Sequence, residues 1–209
     1  MRKVQAMMFN TLDGVAEFPH YGKENDAGTG DQEDPMWEPR RESIDTLILG
    51  RIAYEKWYGH WPARKDAPDA GEWERAFSRF CDRADKVVIS RTLRTAGWTN
   101  SRVFGGDIGV EIARLQSLPG KDIALGGGPS LLQAILDRGL VDELLLNMIP
   151  THLGRGKPLF HVVDDPENPG DFVPMGAPGR QDFQVVEAKP LPDGAVFLHF
   201  RRAPGPSAP

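Results

Sequence analysis

The sequence predicts an α/β domain with a mainly parallel sheet and an antiparallel edge. Three observations predict it. Short apolar runs alternate with helix-length amphipathic stretches up to about Ile149. Beyond that point only strand-like runs remain, "QDFQVVEAKPL" and "GAVFLHFRR", joined through "LPDG". Between the two regimes, Gly126, Gly127 and Gly128 separate the apolar run "DIAL" from the helix pattern "PSLLQAILDRG".

Taken in order, "KVQAMMFN" reads as a buried first strand, stopped by the turn residues of "TLDG". The polar, glycine-containing stretch from Phe18 to Pro35 is long for a connection in a compact domain, and such loops are often functional. "DTLILG" is a second strand, and "RIAYEKW" opens a helix. In "PDAGEWERAFSRFCDRA", Trp73, Phe77, Phe80 and Ala84 share one helical face, with Cys81 near it as a packing residue. "KVVIS" and "RVFGG" are the third and fourth strands. "DIGVEIARLQSL" is an amphipathic helix with Asp107 placed to cap it. "DIALGG" is the fifth strand, followed by a helix with Pro129 in its first turn and Gly139 at its end, and "LVDELLLNMIP" is a strand. A single domain is expected over residues 1–202, with a disordered tail over 203–209.

The chain has 209 residues, of which 40% are hydrophobic, enough for one globular domain with a substantial core. A net charge of −5 without a Lys/Arg run argues against general nucleic-acid binding. The single cysteine allows no internal disulfide, and no stretch approaches the ~18–20 apolar residues of a membrane span. A cytoplasmic protein acting on a small molecule is expected. The histidines, His20, His60, His152, His161 and His199, show no metal-like spacing, so no metal is expected.

Ligands of open α/β sheets bind at the carboxyl ends of the strands, where the first turn of the next helix offers free N–H groups to an anion. Gly126 to Gly128 mark one such end, Gly50-Arg51 a second, and Ser90-Arg91-Thr92 a third. Arginine grips phosphate with two hydrogen bonds from a planar fork, so two arginines beside a glycine-rich end suit an anionic nucleotide. A tight turn explains the glycines equally well at this level. The spacing matches neither G-x-G-x-x-G nor a Walker loop.

In this order, "TLDG", "LGR", "ISRTL", "LGGGPSLLQAILDRGLVDEL" and "PTHLGRGKPLF" resemble the dihydrofolate reductase-like superfamily, and within it the reductase half of the riboflavin-synthesis deaminase–reductases, over most of residues 2–202. The resemblance implies a three-layer α/β/α sandwich with an eight-stranded, mostly parallel sheet and an antiparallel C-terminal edge. It implies NADPH as cofactor and hydride transfer to a small heterocyclic or ribose-bearing substrate. Gly126, Gly127 and Gly128 would face the pyrophosphate, with Pro129 and Ser130 opening the helix. Gly50, Arg51, Ser90, Arg91 and Thr92 would hold the rest of the nucleotide. Asp13 and Gly14 would border nicotinamide and substrate. The family's threonine in "GR.T" is here Ala53, which removes one polar contact. No zinc-deaminase pattern is present, so both riboflavin steps are not expected from this chain.

Candidate acids for proton transfer are Asp13, taken as the catalytic residue, and Asp34, Glu38 and Glu42. Asn10, Gly14, Trp37, Tyr54 and Trp57 are candidate substrate contacts, and Arg155 and Lys157 candidate contacts to a substrate phosphate. Asp142 and Glu143 are expected to serve local structure. The apolar runs "LVDELLLNMI" and "AVFLHF", with the resemblance, imply a homodimer. Dihydrofolate reductase and a non-catalytic nucleotide-binding dimer are the alternatives.

Overall fold

The computed structural model describes residues 1–17, 36–160 and 180–204. Its strands are β1 (Val4–Thr11), β2 (Ala16–Glu17), β3 (Ile44–Gly50), β4 (Asp85–Ile89), β5 (Ser101–Phe104), β6 (Asp122–Leu125), β7 (Glu143–Ile149), β8 (Phe183–Pro190) and β9 (Val196–Arg202). The helices are α1 (Arg51–Arg64), α2 (Glu72–Arg83), α3 (Ile108–Ser117) and α4 (Pro129–Leu136). The strands form one sheet in the order β5-β4-β3-β6-β1-β7-β9-β8, with the two-residue β2 pairing off this path with β1. Pairings from β5 through to β7 are parallel, while β7 with β9 and β9 with β8 are antiparallel. The eight strands of the path and the antiparallel edge are those the sequence implies; β2 is too short to leave a periodic signal.

Strand alternation divides the core into two layers. In β1, Val4, Ala6 and Met8 pack with Ile112, Leu115, Leu132 and Ile135 of α3 and α4. Met7, with the partly buried Phe9, packs instead with the α1/α2 layer of Trp57, Trp61, Phe77 and Phe80. The sheet therefore lies between two helical layers, a three-layer α/β/α sandwich. Trp73, Phe77, Phe80 and Ala84 form the buried stripe of α2 that the heptad-like spacing predicts. Cys81 is buried beside them, and burial holds its thiol well above the ordinary range, so it packs rather than reacts. Asp107 caps α3 by accepting from the Gly109 and Val110 N–H groups. Gly139 ends the α4 region with φ +62°, a conformation that favours glycine.

The α1/α2 layer is an edge-to-face aromatic cluster. Phe77 touches Trp61 at 4.6 Å, Trp37 at 5.2 Å and Trp57 at 5.6 Å between ring centroids. Such pairs add to simple area burial. Phe77→Ala is expected to cost ~3–5 kcal/mol of unfolding free energy, read by denaturant titration. A loss under about 1 kcal/mol would mean the cluster closes around the gap.

Candidate functional site

The carboxyl ends of β4, β3, β6, β1 and β7 lie side by side at one edge of the sheet. β5 is parallel to β4, so α3 also starts at this edge, but α1 and α4 share a local design of their own. Gly50 is the N-cap of α1 and Gly128 the N-cap of α4, both with extended backbone, no side-chain cap and no acid in the first turn. The other two helices differ, since α3, after β5, has its Asp107 cap and α2 carries Glu72 and Glu74 in its first turn. An uncapped, acid-free N-terminus leaves N–H groups and the positive end of the helix dipole for an anion. Because β3 and β6 are neighbours, α1 and α4 bring two such ends together.

The three glycines have a different reason from a turn. None has a positive φ. A Cβ on Gly126 would lie 2.9 Å from Leu49 Cδ2 and 3.1 Å from the Trp57 ring, and one on Gly127 would lie 2.9 Å from Leu131 Cδ2. Gly126 and Gly127 are demanded first by the protein's own close packing. A methyl group at Gly127 would therefore press on Leu131 as well as on any ligand. At Gly50 a Cβ would meet only Leu131 Cδ2, at 3.8 Å, an ordinary contact.

The basic side chains stand around these ends. Arg51 is exposed and bound through Nη1 to both carboxylate oxygens of Glu55, at 3.0 and 2.9 Å. An exposed pair one turn apart is worth only ~0.3–0.5 kcal/mol, so Arg51 exchanges Glu55 for a stronger anion at little cost. Arg91 is exposed and has no hydrogen-bond or ion-pair partner among the described residues. Ser90 Oγ accepts from the Thr92 and Leu93 N–H groups at 3.2 and 2.9 Å, which shapes the loop after β4, and the Thr92 hydroxyl lies 3.4 Å from it. Lys157 Nζ donates to Ser130 Oγ in the first turn of α4 and has no carboxylate partner among the described residues. Sequence reasoning offered Lys157 and Arg155 to a substrate phosphate; the structure puts Lys157 at the glycine-rich end, while Arg155 is exposed in the same loop.

That loop is zipped to the β1–β2 turn. Leu12 N–H donates to Thr151 O at 3.0 Å, Ala16 N–H to Lys157 O at 2.8 Å and Leu159 N–H to Gly14 O at 2.7 Å. Asp13 closes the zipper: its carboxylate accepts from Thr11 Oγ1 at 2.5 Å, Gly154 N–H at 2.7 Å and Leu153 N–H at 3.2 Å. The hydrogen bond from Thr11, with those from Gly154 and Leu153, pushes the Asp13 carboxyl down to about 2. Held ionised by these donors, Asp13 clamps the two loops together, a structural role beside the catalytic one expected of it. Gly14 sits in the turn with φ +72°, as a glycine must.

The candidate substrate contacts divide. Trp37 and Trp57 are buried in the aromatic layer, and Tyr54 is buried with its hydroxyl accepting from Trp98 N–H at 3.0 Å. Their burial gives all three a packing role, and Trp57 forms a floor beneath Gly126. Asn10 is buried at the end of β1, and by alternation with Ala6 and Met8 its side chain faces α4 rather than the aromatic layer. Glu38 pairs with Arg41 three residues on, and Glu42 with Arg83 at the end of α2. Asp142 accepts from Val4 N–H and Arg202, and Glu143 pairs with Lys3, His199 and Arg201, the structural roles expected of them. Asp34, His20 and His161 lie outside the described residues. Ala53 is buried on α1, so no hydroxyl is supplied there. Among the described residues no group of three or more His, Cys, Asp or Glu is placed to hold a metal, and no helix is long and apolar enough to cross a membrane. Sequence reasoning missed Asn147, buried on β7, although a lone polar residue inside "LLLNMI" was a visible signal.

Comparisons with known proteins show the family and the fold. The model of the RibD C-terminal domain family matches residues 2–170. The uncharacterized protein YyaP of Bacillus subtilis (strain 168) is 39% identical over 118 residues, which is 56% of this chain and 60% of that protein. The chain thus spans about three fifths of the length of the curated relatives it matches. A Shewanella sp. PV-4 structure assigned to riboflavin biosynthesis superposes with TM-score 0.68 at 17% identity, covering 97% of this chain and 99% of that one. The diaminohydroxyphosphoribosylaminopyrimidine deaminase/5-amino-6-(5-phosphoribosylamino)uracil reductase of Thermotoga maritima gives 0.57 at 14% identity, covering 97% and 58%. Dihydrofolate reductase of Enterococcus faecalis, solved with NADP(H), gives 0.53 at 13% identity, covering 96% of each. These structures share the fold. The chain belongs to the RibD C-terminal domain family.

The Asp13 clamp carries a pH signature. Its folded pKa lies below the ordinary 3.8, so ionised Asp13 holds the two loops together above about pH 4, and that contribution is lost as the pH falls through about 2. Carboxyl-carbon NMR is expected to show a midpoint near 2 in the wild type. A midpoint at or above 4 would remove the clamp.

Proposed function

We propose that this RibD C-terminal domain protein is an NADPH-dependent reductase of a small heterocyclic substrate. The observation that carries the reading is the pair of uncapped, acid-free helix N-termini, α1 and α4, at adjacent strand ends. The residues present fit a dinucleotide phosphate. Gly50 leaves backbone N–H groups approachable, and Arg51, Arg91 and Lys157 bring positive charge without buried acids among them. NADPH, when bound, supplies the hydride.

The chain's own part is binding and orientation. The first turns of α1 and α4 and the Lys157 ammonium hold the phosphates. Arg51 and Arg91, at the ends of β3 and β4, take the additional phosphate that distinguishes NADPH from NADH. Phe9, partly exposed at the end of β1, offers an apolar face to the substrate ring. Asp13 keeps the β1–β2 turn docked while staying ionised, so the proton that balances the hydride comes from water. The NADP(H)-bound dihydrofolate reductase and the Thermotoga reductase, which share the fold, support the cofactor class and the uracil-like substrate class.

Calorimetric titration is expected to show NADPH binding at least tenfold more tightly than NADH, since a charged hydrogen bond is worth ~1.5–3 kcal/mol. Arg91→Ala should erase most of that preference. Gly50→Ala should weaken NADPH about tenfold while leaving the ligand-free melting temperature within a few degrees, because the new methyl group has room. Equal affinities for the two cofactors in the wild type would remove the arginines' role. Oxidation of NADPH at 340 nm with a panel of aminopyrimidinones tests turnover, and binding with no turnover on any of them would favour a non-catalytic dimer.

The same reading includes self-association. Among the described residues β8 is an edge strand paired with β9 alone, with Val185 63% and Val186 45% exposed. Open edges of this kind invite pairing. Light scattering at micromolar concentration is expected to give a dimer mass, and Val185→Lys to shift it to monomer.

A further inference from the structure

Three buried carboxamide side chains on the central strands carry an oxygen without a hydrogen-bond partner: Gln5, Asn10 and Asn147. Two of them are anchored by their other end. Gln5 Nε2 donates to Asp122 at 3.0 Å, and Asn10 Nδ2 donates to the Thr11 carbonyl at 2.9 Å. Asn147 has no side-chain partner at either end among the described residues. It is only 7% exposed and sits among the apolar residues of the run "LLLNMI", where a leucine would suit its neighbours. A buried polar group left unpaired lowers the stability of the fold that carries it. A partner from outside the chain would remove that penalty.

Its position says which partner. Asn147 pairs in register with Phe9 on β1 and with Phe197 on β9, and alternation with Leu145 puts it on the aromatic-layer face. Gly126 and the Trp57 floor lie on that same face, across β1. Asn147 is also two residues from the carboxyl end of β7, hence at the level of the candidate cleft. A carboxamide presents one acceptor and one donor in a plane. Its complement is an N–H beside a C=O in a ring, the lactam edge of a uracil-like or pteridinone heterocycle, which pairs through two parallel hydrogen bonds.

We propose that Asn147 is a specificity-determining residue that reads the lactam edge of the substrate heterocycle, with Phe9 against the ring. This rests on the reading of the cleft as a reductase site, but its test separates from that reading. A site built to hydrogen-bond a substrate N–H rejects analogues that lack it far more strongly than an apolar pocket discriminates by size.

The test uses two probes on the full chain, 6-aminouracil and 6-amino-1,3-dimethyluracil, titrated calorimetrically with and without NADPH. The wild type is expected to bind 6-aminouracil at least tenfold more tightly than the dimethyl analogue. Asn147→Leu should bind both equally weakly, keep wild-type NADPH affinity, and melt at the same temperature or higher, because a misplaced polar group has been removed. Asn147→Ser, which keeps a hydroxyl in less volume, should retain part of the discrimination and serves if the leucine variant does not fold. Discrimination that survives in Asn147→Leu, no binding of either probe to the wild type at millimolar concentration, or a leucine variant that melts many degrees lower each overturns the proposal. Probe discrimination that depends on Asn147 in a protein that ignores NADPH would instead sink the reductase reading and leave the subsite standing.

Discussion

One close approach sets the geometry of the whole cleft. α1 crosses the end of β6 so tightly that the Trp57 ring and the Leu49 methyl group occupy the place of a side chain at Gly126. Trp57 cannot retreat, because Trp37, Trp61 and Phe77 hold it edge-on at centroid distances of 5.7, 6.5 and 5.6 Å. Interiors packed at this density do not deform smoothly, so the aromatic layer fixes the height of α1 above the sheet. That height brings Gly50, the N-cap of α1, within contact distance of Leu131 in the first turn of α4. The two free helix ends are therefore neighbours as a consequence of core packing on the far side of α1. Sequence fixes packing here, and packing fixes the electrostatics of the site.

Much of the fold was legible in the sequence, because parallel strands buried on both faces read as plain apolar runs and amphipathic helices read by period. Asp107 as a cap, Gly139 as a terminator and the Trp73–Phe77–Phe80–Ala84 stripe follow from local rules alone. The strand-end residues were legible as a set, since order along the chain and position after each strand are one-dimensional facts. What was not legible depends on distance. The role of Asp13 turns on two N–H groups 140 and 141 residues away. "LDG" looks the same whether its acid faces a substrate or a loop. The aromatics of α1 could not be sorted into pocket and core, because helical spacing alone does not say how deeply a helix is buried. Asn147 was legible as an anomaly, but its orientation needed the register of β7 against β1.

The Asp13 zipper also explains how an exposed loop can place a charge. The segment after β7 is exposed almost throughout, and isolated loops of this kind carry little stability of their own. Three backbone hydrogen bonds and an ionised carboxylate tie it to the end of the central strand β1. Lys157, within that loop, thereby reaches Ser130. Its ammonium faces the positive end of a helix with no carboxylate among the described residues to balance it. Two like partial charges held together in the free protein are mildly unfavourable, and an anion between them reverses the sign.

The same logic links features that look unrelated. A side-chain cap is worth about 1 kcal/mol to a helix, and this chain supplies one to α3, while α1 and α4 go without. A leucine at position 147 would pack at no polar cost, yet an asparagine stands there with its oxygen unpaired. Local rules are obeyed in the stripe of α2, at the cap of α3 and in the antiparallel edge, and they are set aside at the starts of α1 and α4 and at Asn147. Sequences that depart from their own stability rules tend to do so where a ligand restores the balance. The proposed anionic ligand rests on two free N-termini on one side of β1, and the proposed polar-edged ring on an unpaired carboxamide on the other, so the two halves of the reading stand on different chemistry.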